Sequence, residues 1–173
     1  MKQAARLNAF FEAAKKGGFA LTKLNWILWW VIPFNKRHNF KVAEVGEDFL
    51  RTTAPYERKN FNHIGGIHAC GIATISEFAT GLLLLTKIDP SKYRIIMSDL
   101  QVTYHFQAKM KIFAESKLTE EELQNDLLIP LQTADRVSKT MVAEVKDEAG
   151  NHIATAHITW QLKNWKDVKT KIG

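Results

Sequence analysis

The stretch from about Ile67 to Thr86, IHACGIATISEFATGLLLLT, limits the folds open to this chain more than any other part of it. Ile72, Ile75, Ala79, Leu82 and Leu83 recur at helical spacing, so the segment reads as one long helix. Cys70, Thr74, Glu77 and Gly81 line up on another face, which is small and carries one acid. A helix that is apolar nearly all round must be covered nearly all round. A strongly curved sheet wrapping it is the economical solution.

The flanking sequence supplies such a sheet. From Phe40 the period changes to two: FKVAEVG and FLRTTAPY read as a hairpin around Gly46. After IDPSKY closes the helix, IIMSDLQVTYHF places Leu100, Val102, Tyr104 and Phe106 on one face and Asp99, Gln101, Thr103 and His105 on the other. KIFAESKL is the next strand, and TEEELQNDLLIPLQTAD is an acidic insertion with one helical turn. RVSKTMVAEV and HIATAHITWQL then form a hairpin around KDEAGN. About six antiparallel strands and one long helix define an α+β class.

Ahead of the strands, ARLNAFFEAAKKGG reads as a first short helix ending at Gly17 and Gly18, and LNWILWWVIPF as a second that packs on the body. That apolar run has eleven residues, interrupted by Asn25 and Pro33 and followed by NKRHNFK. A bilayer span needs about 20, so neither an integral membrane span nor a signal peptide is expected. Packing in the core is the reading for Trp26, Trp29 and Trp30, with a membrane-surface or substrate-access role as the alternative. A length of 173 residues suits one domain, divided into a helical extension over 1–38 and a core over 40–163. The lone cysteine, Cys70, precludes an intrachain disulfide and fits a reducing, cytoplasmic setting. The net charge of +6 invites an anionic ligand. Its lysines read as scattered apart from KNWKDVKTK, without an arginine stripe or aromatic-and-basic motif, so nucleic acid is not an expected partner.

Chemistry-bearing residues crowd into NFNHIGGIHACGIATISEFATG, Asn60 to Gly81. Gly65 and Gly66 allow a sharp turn and a close approach to a ligand. Glu77 is a single acid amid Ile, Phe, Ala and Leu, where desolvation would raise its pKa toward values useful to a base. Each residue has a plainer reading too. Glu77 could be ion-paired or solvent-facing, Asn62 could cap a turn, and His68 could serve the helix terminus or packing. Cys70 could be a nucleophile with a lowered pKa or, as the stronger reading, a buried structural thiol. His63, His105, His152 and His157 read as surface or strand residues. His63, His68 and Cys70 lack a further ligand at zinc spacing, so no metal is expected.

With these residues in view, the order of elements and the segment Asn62 to Glu77 resemble the hotdog-fold thioesterases, most closely the branch of phenylacetyl-CoA thioesterases and its DUF4442-type relatives of unknown function. In that family a loop Asn is followed six positions later by a His-Gly-Gly opening the central helix, and nine positions beyond the His by an acid. Asn62, His68 and Glu77 keep that spacing. The resemblance covers about Phe40 to Leu162. His68-Ala69-Cys70 departs from His-Gly-Gly, and Glu77 replaces the Asp of many members.

The resemblance implies an acyl-CoA hydrolase acting as a homodimer or homotetramer, with no cofactor beyond the coenzyme A of its substrate. Glu77 would activate water or attack the acyl carbon, and Asn62 would hold the water or the carbonyl. Backbone amides around His68, Ala69, Cys70 and Gly71 would receive the oxyanion, and Gly65 and Gly66 would line the substrate. Arg58 and Lys59 are candidates for the coenzyme A phosphates. The family pairs acid and loop amide across a dimer interface, so each site is expected to be shared. Two rival readings are a non-catalytic acyl-binding module and an enoyl or hydroxyacyl thioester hydratase or dehydratase.

Overall fold

Alternation of apolar and polar residues makes the strands, and the long apolar helix gives them something to close around. The computed structural model describes residues 2–168, with side chains from Asn8 onward. In chain order the main elements are α1 (Lys2–Ala14), α2 (Gly18–Val31), α3 (Pro33–His38), β1 (Lys41–Val45), β2 (Phe49–Ala54), α4 (Ala69–Lys87), β3 (Tyr93–Tyr104), β4 (Ile112–Lys117), β5 (Arg136–Asp147) and β6 (His152–Asn164). All six strands join one antiparallel sheet in the order β1-β2-β4-β5-β6-β3. β1 and β3 are its edges.

The helix α4 lies against β2, β4, β5 and β6. Ile72, Ile75, Phe78, Ala79 and Leu82 to Leu84 are buried there, facing Leu50, Ala114, Met141, Ala143, Val145 and Ile158 in one core. Thr52 fixes the alignment by donating from Oγ1 to the Ile75 carbonyl at 2.7 Å. By length and composition α4 is the one helix among the described residues able to cross a membrane. Here it is the core helix enclosed by the sheet, which is the hotdog arrangement.

The N-terminal helices are bonded to the sheet rather than merely laid upon it. Asn25, which interrupts the apolar run in sequence, is buried and clamps α2 to β1: its amide donates to the Val42 carbonyl at 2.9 Å and its Oδ1 accepts from Val42 N at 2.8 Å. Trp29 likewise donates from Nε1 to the Phe40 carbonyl at 2.8 Å. Trp26 and Trp30 are not core residues, contrary to expectation; both are exposed, because the face they share points away from Leu24, Asn25 and Leu28.

Three further differences from the sequence reading have physical causes. The run LNWILWWVIPF, read as one helix, is divided: α2 ends at Val31 and Pro33 starts α3, since proline at the first helical position gives up an amide that has no partner there anyway. The acidic insertion is three consecutive turns over Glu120–Gln132, opened by a Thr119–Glu122 capping box and pinned by buried Leu123, Leu127 and Leu131. Of the four residues placed on one face, Leu100 and Val102 of β3 are half-buried, whereas Tyr104 at its end and Phe106 beyond it are exposed, because the edge strand runs past the covered core.

Candidate active site

Glu77 sits half-buried midway along α4, in the wall of a cavity of about 320 Å³. Thr74, Phe78, Gly81 and Leu82 of α4 share that wall, together with Ile95, Trp160 and the α2–α3 junction at Ile32, Phe34 and Asn35. Burial pushes the Glu77 pKa up, and among the described residues no neighbouring charge or hydrogen bond offsets it. The ion-paired alternative therefore does not describe it. Gly81, one turn on, makes the room: a Cβ there would stand 2.8 Å from the Trp160 ring and 3.7 Å from Glu77 Oε1. The indole is held in place by its Nε1 donating to Thr80 Oγ1 at 2.9 Å. Trp160 and Asn35 were not marked by sequence. Trp160 reads only as an inward position on a strand, and Asn35 opens the charged run NKRHNFK that follows the second expected helix, yet α3 buries it.

Asn62 lies elsewhere. Its Oδ1 accepts from Ile64 N at 3.1 Å and Gly66 N at 3.0 Å, closing the loop upon itself in the way a turn-capping asparagine does. Gly65 has a φ of 74°, which favours glycine, while Gly66 is required by packing, since a Cβ would meet Gln107 at 2.9 Å. Asn62 and Ala69 line a second cavity with Tyr104 and Gln107. Eight residues of helix separate Ala69 from Glu77, about 12 Å along the axis. Within the chain the loop amide and the acid line different cavities.

His68 is the N-cap of α4. Its Nδ1 accepts from Cys70 N at 3.1 Å, so the ring proton is on Nε2. The amides of Gly71 and Ile72 donate to the His68 carbonyl at 2.8 and 3.2 Å. Among the described residues, Ala69 N is the helix-start amide left without a partner. Cys70 is exposed rather than buried, because the first turn of α4 emerges past the sheet. Lys59 is paired with Glu57 at 2.7 Å, while Arg58 beside it is exposed. No cluster of metal-ligating side chains exists among the described residues.

A larger hollow of about 870 Å³ lies on the opposite face of the sheet, among Arg51, Glu115, Glu144 and Lys146. Arg51 there bonds Glu44 at 2.9 Å and also Glu115, and Glu144 bonds His152 at 2.6 Å. The smaller cavity, with an acid in an apolar wall, is the better candidate for chemistry.

The sheet enclosing an apolar helix defines a hotdog-fold protein. The chain belongs to the family described as a domain of unknown function (DUF4442), whose match spans residues 22–162 and so takes in most of α2 and all of α3. Among solved structures it is similar to a Pseudomonas aeruginosa protein of unknown function named a probable thioesterase, at 23% identity and a TM-score of 0.75, covering 83% of this chain and 95% of that one. A Chlorobaculum tepidum protein of unknown function is similar at 15% identity and a TM-score of 0.71, covering 82% and 93%. A thioesterase from Haemophilus influenzae is similar at 14% identity and a TM-score of 0.65, covering 86% and 94%. No curated protein matches the chain.

Proposed function

We propose that the protein hydrolyses acyl thioesters, with Glu77 as general base. The observation that carries this reading is the Glu77 carboxylate set without a counter-ion in an apolar cavity large enough for an acyl group. In the proposed reaction Glu77 takes a proton from water as the water oxygen bonds to the acyl carbon. The C–S bond of the tetrahedral intermediate then breaks, and the proton passes from Glu77 to the departing sulfur, giving a carboxylic acid and a free thiol. An oxyanion forms between these steps and needs a donor roughly 3 Å away.

That requirement favours a shared site. Ala69 N lies about 12 Å along α4 from the Glu77 of its own chain and Asn62 lines the other cavity, so a homodimer in which each subunit supplies one half fits the chemistry. The unpaired edge β3, twelve residues long and exposing Ile96 and Met97, supports such pairing. The cavity volume and its Trp160, Phe78 and Leu82 walls suit a medium-length or aromatic acyl group. Arg58 is the candidate for coenzyme A phosphates.

A binding module without turnover is the second reading, favoured by one observation: the amides of Cys70, Gly71 and Ile72 already bond to His68. Free-thiol release from short, medium, long and aromatic acyl-CoAs tests the first against the second. Release that peaks with medium or aromatic chains supports the hydrolase. Tight acyl-CoA binding with no release supports the module.

A further inference from the structure

Positive charge is not scattered along this chain. Residues 1–41 hold eight lysines and arginines against one acid, Glu12, a net +7, whereas the rest holds sixteen against seventeen, a net −1. Lys169 and Lys171 of the basic C-terminal run lie outside the described residues. Among the described residues, the three most exposed large apolar side chains, Trp30, Phe19 and Val31, lie in the same N-terminal segment. Phe19 is 78% exposed, Trp26 60% and Trp30 87%. At 100° per residue these three fall within roughly 40° of one line along α2. Val31 and Phe34, 72% and 56% exposed, extend the patch around the turn into α3. Exposed Lys16, Lys23, Lys36 and Arg37 flank it, with Lys23 Nζ lying 5.2 Å over the Phe10 ring.

We propose that the α2–α3 elbow docks on a phospholipid bilayer bearing anionic headgroups. Tryptophan and phenylalanine along one helix face, with lysine and arginine beside them, are what an interfacial helix needs: rings at the boundary of headgroups and acyl chains, cations against lipid charge. A second copy of this chain is a poor occupant, because it would set the exposed Lys16, Lys23, Lys36 and Arg37 against the same four cations. Nucleic acid would take the charge but offers no apolar phase to Phe19, Val31 and Phe34. The docking does not rest on the hydrolase reading. It bears on that reading because Ile32, Phe34 and Asn35 also wall the Glu77 cavity, so docking sets the cavity beside the membrane into which acyl chains partition.

Flotation of the full chain with vesicles tests this, using phosphatidylcholine alone and phosphatidylcholine with about one-third phosphatidylglycerol. The wild type floats with the anionic vesicles, its partitioning at least tenfold weaker on neutral ones and falling as salt rises. Replacing Trp26→Ala and Trp30→Ala together, or Lys36→Glu and Arg37→Glu together, lowers partitioning at least tenfold. Melting temperature stays close to wild type, since all four side chains are exposed. Wild type that stays with no vesicle, floats equally with both kinds, or floats as well without its two tryptophans overturns the proposal. So does a fall from dimer to monomer in the tryptophan variant, which would assign the patch to a second copy, or capture of single-stranded RNA by protein that ignores vesicles.

Discussion

At the scale of single residues, Glu77 pays for its position in stability. Its pKa is raised above the ordinary 4.5 by burial, so the folded chain holds this proton to higher pH than the unfolded chain does. The linked stability is therefore greatest at acid pH and falls as pH rises from 4.5 through the raised value. At neutral pH the ionised carboxylate is a standing cost, and Glu77→Gln should melt at the same temperature as wild type or higher. The base must be ionised to accept a proton, so the acid limb of kcat/KM should lie above the usual glutamate range. Gly81→Ala should cost about 1–3 kcal/mol by denaturant melts and raise KM. Its added carbon meets the Trp160 ring at 2.8 Å and takes up space beside Glu77.

At the scale of elements, what could be read in the sequence was what repeats. The alternation of β5, inward Met141, Ala143 and Val145 against outward Val142, Glu144 and Lys146, is visible in the chain and matches its burial. The helix α4 is equally plain, because its apolar residues need cover on several sides. Where one residue has two physical uses, the sequence left the choice open or misled. Pro33 can break a helix or begin one; Asn25 can interrupt an apolar run or clamp a helix to a strand. His68 and Asn62 were marked as site residues, and each also has a local structural duty. Loss of the His68 cap in His68→Ala should cost about 1 kcal/mol in thermal or chemical melts, and His68→Asn should restore most of it. Trp160 went unmarked because its approach to Gly81 joins residues far apart in the chain, which no local period reveals.

At the scale of the whole molecule, the chain divides into a core of nearly balanced charge and an N-terminal segment that carries the excess, a division hidden by the total of +6. The core has one long unpaired edge, β3, and in the proposed site a second subunit would bring an Ala69 amide to the Glu77 cavity. Ile96→Lys together with Met97→Lys, on the exposed edge, should therefore give a folded monomer by light scattering, with thioester hydrolysis at least tenfold lower. Wild-type activity in that monomer would place the whole site within one chain. The most direct test of the account is kcat/KM for thiol release from the best acyl-CoA, compared between wild type and Glu77→Gln. A fall of about 10²–10⁴-fold in a variant that stays folded and keeps its oligomeric state is predicted. Undiminished release by that variant would contradict the assignment of Glu77 as the base.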